Sequence, residues 1–180
     1  MEYIAFLRGI NVGGHTVRME RLRELFEALG LKDVRTYIQS GNVFFTAPAK
    51  NRTTLTLKIE AHLQKALGFK APVFLRTIPE VDLLLASDPF KAIEKTPDTR
   101  FCVVFGEKSM PRSLSLPLYS PKKDAMIAGM TQAEAFVVWY IINGRPPAAD
   151  QFLEKTLGQA TTSRFFHTLA KIAEAAKTKR

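Results

Sequence analysis

The spacing of apolar positions changes several times along the chain, and each change marks an element. Residues 3–8 form an apolar, β-forming run that stops at Gly9. From about Thr16, Met19, Leu22, Leu25, Phe26 and Leu29 recur at helical spacing. Arg18, Glu20, Arg21, Arg23, Glu24 and Glu27 take the remaining positions, so an amphipathic helix is predicted that Gly30 ends. Residues 34–38 and 43–46 are β-branched and aromatic runs separated by the polar turn Gln39-Ser40-Gly41-Asn42, which reads as a hairpin. Residues 52–67 favour a second helix ended by Gly68, and residues 71–76 a fourth strand with Pro72 near its start. The order βαββαβ is that of the ferredoxin-like plait. Right-handed crossovers would then place both helices on one face of a four-stranded antiparallel sheet, with the first and third strands central.

Residues 79–86 read as a short helix, and residues 87–99 as a connector beginning Ser87-Asp88-Pro89-Phe90. A boundary here divides the chain into a ferredoxin-like subdomain, residues 1–87, and a second α+β subdomain with C-terminal helices, residues 88–180. Strands are predicted at 100–105, 124–130 and 135–142, a short helix within the Pro-flanked segment 110–119, and helices at 148–157 and 163–176. That order is plait-like but degenerate, lacking its last strand, and an ancient duplication would account for it. The run AFVVWYII has too little alternation for an edge strand, so a central position is expected, with Trp139 in the core rather than on a base-stacking platform. The expected fold class is α+β throughout.

Composition narrows the function classes. The chain has 180 residues, 46% of them hydrophobic, enough for one medium domain or two small ones. The formal charge of +9 leans towards nucleic acid or another polyanion. No run of five like charges occurs. The most basic end, with Lys171, Lys177, Lys179 and Arg180, reads as cations complementing a helix C-terminus plus a solvated tail. The single cysteine, Cys102, excludes an internal disulfide and reads as a small buried apolar residue in a reducing compartment. Met1-Glu2-Tyr3 has no signal-peptide layout, and no apolar run approaches the roughly 18 residues of a membrane span, so a cytoplasmic protein with no membrane partner is expected. His15, His62 and His167 lack zinc-like spacing, Asp33, Asp82, Asp88 and Asp124 form no recognisable carboxylate pair, and no Gly-x-Ser-x-Gly elbow is present. No metal, cofactor or catalytic residue is assigned.

The plait topology brings the end of the first strand, the start of the first helix, the hairpin turn and the start of the fourth strand to one edge. Arg8, Gly9, Asn11, Gly13, Gly14, His15 and Arg18 should there meet Gln39, Ser40, Gly41, Asn42 and Lys70. Exposed amides beside arginines and side-chain amides are what a phosphate or carboxylate requires. Neither Gly-x-x-x-x-Gly-Lys-Ser/Thr nor the full dinucleotide fingerprint is present, so a nucleotide triphosphatase and a Rossmann site are unsupported. The same residues have a purely architectural reading, in which the glycines make a tight turn, Asn11 caps backbone groups and Ser40-Gly41-Asn42 closes the hairpin. In Thr161-Thr162-Ser163-Arg164 a hydroxyl is expected to cap the last helix, with Arg164 as a further anion contact.

Several of these stretches carry a resemblance. FLRGINVGG, MERLRELFEALGLKDVRTYIQSGNVFF, Asp88-Pro89-Phe90 and residues 154–168 resemble the family catalogued as domain of unknown function 1697, over most of the chain. That family has no settled activity, so the resemblance implies a fold and not a function. Gly144-Arg145-Pro146-Pro147 and Ser163-Arg164-Phe165-Phe166 stand where such proteins have Gly-Arg-Ser-Lys and Thr-Arg-Asn-Trp, and no role of those missing side chains carries over.

Two function classes follow. One is a non-catalytic binder of an anionic ligand or nucleic acid through the glycine loop, the plait being shared with RNA-recognition motifs. Its requirement is that Phe6, Phe44 and Phe45 face solvent, whereas their pattern fits a core equally well. The alternative is an enzyme or small-molecule binder acting on an anionic metabolite at the junction of the two subdomains, with His15 as the proton carrier.

Overall fold

The computed structural model describes residues 1–48 and 51–178. The chain forms two compact units, Met1–Leu83 joined by the chain from Ile172 onwards, and Leu84–Lys171. In the first, β1 (Glu2–Leu7), α1 (Met19–Glu27), β2 (Lys32–Thr36), β3 (Asn42–Thr46), α2 (Arg52–Leu67), β4 (Val73–Thr77) and α3 (Ile78–Ala86) follow one another. The strands form a four-stranded sheet of order β2-β3-β1-β4. Every neighbouring pair is antiparallel. Both helices cover one face, where Leu22, Leu25, Phe26, Ile59 and Leu63 pack on alternate strand residues Tyr3, Ala5, Leu7, Val43, Phe45, Val73 and Leu75. The intervening residues Ile4, Phe6, Phe44, Phe74 and Arg76 are buried too, which is why these strands read as continuous apolar runs.

Local chemistry sets the helix ends. The Asn51 side chain accepts the Thr54 N–H at the start of α2, and Gly68 closes it in the left-handed region at φ 81°. α3 opens with a capping box. The Glu80 carboxylate accepts the Thr77 N–H at 2.7 Å, and the Glu80 N–H is returned to the Thr77 hydroxyl at 3.4 Å. Arg52 adds two bonds to the same carboxylate at 2.7 and 2.9 Å. Arg35 donates to the carbonyls of Ala175, Ala176 and Thr178 at 2.8–3.0 Å, closing the C-terminal end of the last helix.

The second unit contains β5 (Thr99–Gly106), β6 (Leu118–Tyr119), β7 (Ala125–Met130), β8 (Glu134–Tyr140), α4 (Asp150–Leu157), β9 (Thr161–Phe165) and the start of α5 (Phe166–Lys177). Its five-stranded sheet runs β6-β7-β8-β5-β9. α4 and the segment 110–118 cover one face, with Leu153, Leu157, Met110 and half-buried Leu114 and Leu116 against Cys102, Val104, Ala125, Ile127, Ala135 and Val137. Phe90, from Asp88-Pro89-Phe90, stacks on Phe101 at 4.7 Å and meets Phe136 and Phe166 edge-on.

Most expected elements are present, and β8 is central as its composition predicts. Two expectations are overturned. Residues 161–165 form strand β9 rather than opening the last helix, so the second sheet has a last strand and no hydroxyl of this segment caps α5. Polar TTSRF gives no alternation to read, yet Cys102↔Phe165 to Gly106↔Thr161 pair in register, and β-branched Thr161 and Thr162 suit that conformation. The segment 110–119 carries no helix, because its prolines remove amide donors, and it ends in the short strand β6. Of the basic C-terminal residues, Lys177 pairs with Asp82 at 2.6 Å. Lys179 and Arg180 lie outside the described residues.

Candidate functional site

In the first unit the β1–α1 loop, the β2–β3 turn and the chain entering β4 meet at one edge. Three backbone and side-chain bonds join them. The Leu7 N–H donates to the Gly41 carbonyl at 2.8 Å, the Arg8 N–H to the Pro72 carbonyl at 2.9 Å, and Asn11 Nδ2 to the Gln39 carbonyl at 2.8 Å. Gly41 belongs here for steric reasons. Its φ is 71°, and a Cβ would lie 3.1 Å from the Leu7 Cβ and 3.2 Å from the Ile10 Cβ.

The side-chain amides work for the architecture. Asn11 Oδ1 accepts the Val17 N–H at 2.8 Å, so both ends of this amide hold the loop. Asn42 is fully buried and donates to the Tyr37 carbonyl at 3.2 Å and to Ser40 Oγ at 2.9 Å. Gln39 is exposed at the turn. Within the loop the Asn11 N–H reaches the His15 carbonyl, the His15 N–H the Val12 carbonyl, and the Thr16 N–H the Gly14 carbonyl. Among the described residues, the amides of Gly13 and Gly14 take no partner within the protein, while Val12 and His15 form an isolated antiparallel bridge. Gly9, Gly13 and Gly14 have positive φ and nothing within 4 Å of a built Cβ, so the loop is open.

The charge at this edge is one-sided. Arg18 and Lys70 are exposed and Arg8 half-exposed, while residues 8–19, 34–47 and 67–77 contain no Asp or Glu. The carboxylates that follow in the adjoining helices are engaged, Glu20 by Arg23 at 3.1 Å and Glu60 by the Val73 N–H at 2.8 Å. His15 is exposed and stacks on Phe69, with ring centroids 4.1 Å apart. Phe69 was outside the sequence-based set, because a lone aromatic after a helix-ending glycine carries no pattern. Ile38, also outside it, is a β-branched residue at φ 51° and 47% exposed, and Val12 is 60% exposed.

Arg164 belongs to the second unit. It lies in β9, buried, donating to Thr162 Oγ1 at 3.0 Å and to the Ser163 carbonyl at 2.8 Å. Burial lowers its pKa to about 10, so it stays charged at neutral pH. Phe6, Phe44 and Phe45 are 0, 3 and 2% exposed, and none presents a ring to solvent for stacking. Clefts of about 470 and 560 Å³ flank Arg35, but its guanidinium is spent on the helix carbonyls and lies over the Phe44 ring. Cys102 is buried, which raises its thiol pKa and keeps it protonated. Among the described residues no helix is long and apolar enough to cross a membrane.

These features define an α+β protein with two antiparallel sheets and a cationic, glycine-rich edge on the first. The chain belongs to the family described as protein of unknown function DUF1697, whose model matches residues 1–136. Among solved structures it is similar to the conserved bacterial protein SP0830 from Streptococcus pneumoniae, at 24% identity over 98% of each chain with a TM-score of 0.67. That similarity speaks for the fold. No curated protein matches the chain.

Proposed function

We propose that this chain is a non-catalytic binder of an anionic group, taken up at the edge formed by residues 8–18, 37–42 and 69–72 on a ferredoxin-like plait. The sheet order β2-β3-β1-β4 with α1 and α2 on one face supports that topology. The observation that carries the binding reading is the coincidence of Arg8, Arg18 and Lys70 with the open Gly13 and Gly14 amides, in three segments without a single carboxylate. Cations and outward N–H groups together supply what an oxyanion loses when it leaves water. Asn11 and Asn42 hold this edge in shape, Arg8, Arg18 and Lys70 with the glycine amides face the anionic group, and His15 stands beside it. The burial of Phe6 and Phe44 favours phosphate recognition over base stacking on the sheet, so a nucleic acid would be held by its backbone.

The test is fluorescence anisotropy with labelled single-stranded RNA and DNA across a salt series, with inorganic pyrophosphate as competitor. The double variant Arg18→Ala/Lys70→Ala changes two exposed side chains. It should bind more weakly, with a slope of log K against log salt about 1.4 shallower, at about 0.7 for each phosphate that the variant no longer neutralises. Equal binding by wild type and variant, or no binding of RNA, DNA and pyrophosphate alike at low salt, sinks the proposal, whereas pyrophosphate binding alone removes nucleic acid from it.

A further inference from the structure

The ring pair His15–Phe69 is not needed to close the loop, whose shape is held by Asn11 and by backbone bonds. Its centroids lie 4.1 Å apart at 25°, with Phe69 half-buried below and His15 exposed above, so one imidazole face rests on Phe69 and the other is left to water. An ordered ring with one bare face, next to open amides and the Arg18 and Lys70 cations, suits a ligand that is flat at one end and anionic at the other. Val12 and Ile38 flank the Asn11–Gln39 bond and expose branched apolar surface at 60 and 47%. Water gains nothing from that surface, and a ring or a sugar edge would cover it.

Resting on the anion reading above, we propose that the anionic ligand of this edge is a nucleoside phosphate. Its base stacks on the outer face of His15, and its phosphate is held by the Gly13 and Gly14 amides with Arg18 and Lys70. This stacking site lies on a loop outside the sheet. It therefore needs none of the buried sheet aromatics, and one ring on His15 admits one base. The chemistry is shared by a free mononucleotide and by the end of a single strand.

Calorimetric titration of the full chain with adenosine monophosphate, adenosine, inorganic phosphate and a five-nucleotide oligoadenylate separates these cases. Wild type should bind the monophosphate more tightly than either phosphate or adenosine. His15→Ala should weaken the monophosphate by about tenfold or more, the range of a base–aromatic stack, and leave phosphate unchanged. His15→Phe, which keeps a ring, should restore most of that loss, whereas a merely structural His15 would give two equally impaired variants. Oligoadenylate binding with the same His15 dependence, and none of the monophosphate, assigns the base to a strand end. Equal affinity for phosphate and monophosphate, or a His15→Ala loss common to both, overturns the base stack and leaves the anion reading standing. Absence of binding by all four probes overturns the anion reading itself.

Discussion

The two units solve one sheet problem with different covers and different edges. Leaving out the short β6, the second sheet runs β7-β8-β5-β9, the first β2-β3-β1-β4, and in both the strand order by sequence is 2-3-1-4. Each last strand leads directly into a helix, α3 or α5. Arg76 and Arg164 occupy matching places. Each is buried, faces the central strand at Ile4 or Val103, and donates to the carbonyl of its preceding residue at 2.8 Å. The covers differ. α1 lies over the first sheet, whereas the Pro-rich segment 110–118 takes that part in the second. The edges differ more. In the second unit Gln159, just before β9, accepts the Lys108 N–H at 2.7 Å and donates to the Ser109 carbonyl at 3.4 Å, closing its edge with the protein's own side chain. The matching place two residues before β4 is Ala71, whose methyl group has no amide to bridge the edge, and Lys70 before it is exposed. Backbone pairing therefore sets the sheet, and single side chains set how its edge is closed.

That contrast can be broken at four points. The largest effect is expected in the helical cover. Phe26→Ala removes a fully buried ring of α1 and should cost about 3–5 kcal/mol in denaturant unfolding. Leu116→Ala, in the half-buried cover of the second sheet, should cost roughly half as much or less, and equal costs would deny the distinction between the two covers. Next is Gly41→Ala. With φ at 71° and Leu7 and Ile10 within 3.2 Å of the new Cβ, a loss of about 2–3 kcal/mol is expected. Gly13→Ala, strained but with open space around it, should lose only about 1 kcal/mol.

Gln159→Ala should cost about 1–2 kcal/mol by withdrawing the acceptor of the Lys108 N–H, with no change in anion binding. A gain in phosphate affinity would mean that the second edge is a plugged copy of the first. The smallest effect concerns the capping box of α3, made by Thr77 and Glu80. At Glu80 burial opposes ionisation, but the Thr77 N–H and Arg52 outweigh it and hold the carboxyl below its ordinary value of 4.5. A lowered folded value means that the stabilisation is present above the unfolded carboxylate range and lost as pH falls through the folded one. Glu80→Gln should therefore cost roughly 1 kcal/mol near pH 7 and almost nothing near pH 2, measured as the difference from wild type. A difference independent of pH would remove the carboxylate from the cap.

Much of the first unit could be read directly. The bounds of α2 match its apolar spacing and Gly68, and the order of β1, α1, β2, β3, α2 and β4 follows from changes of period. Local patterns carry that information because each element there has an apolar face of its own. β9 could not be read, since TTSRF becomes a strand only through its partner β5, and neither could the absence of a first helix in the second unit. At the candidate site, the sequence brought residues 8–18 and 39–42 to one edge through topology alone.

The sequence by itself determined the α+β class, the order of elements in the first unit, the central place of β8 and the surplus of positive charge. Those depend on spacing, composition and turn chemistry, which act over a few residues. Tertiary structure alone decided that Asn11 and Asn42 are spent on backbone groups, that Phe6 and Phe44 are buried, that Arg164 lies in a strand and that His15 rests on Phe69. Those depend on which distant groups meet, and a side chain's partner is chosen by packing rather than by its neighbours along the chain.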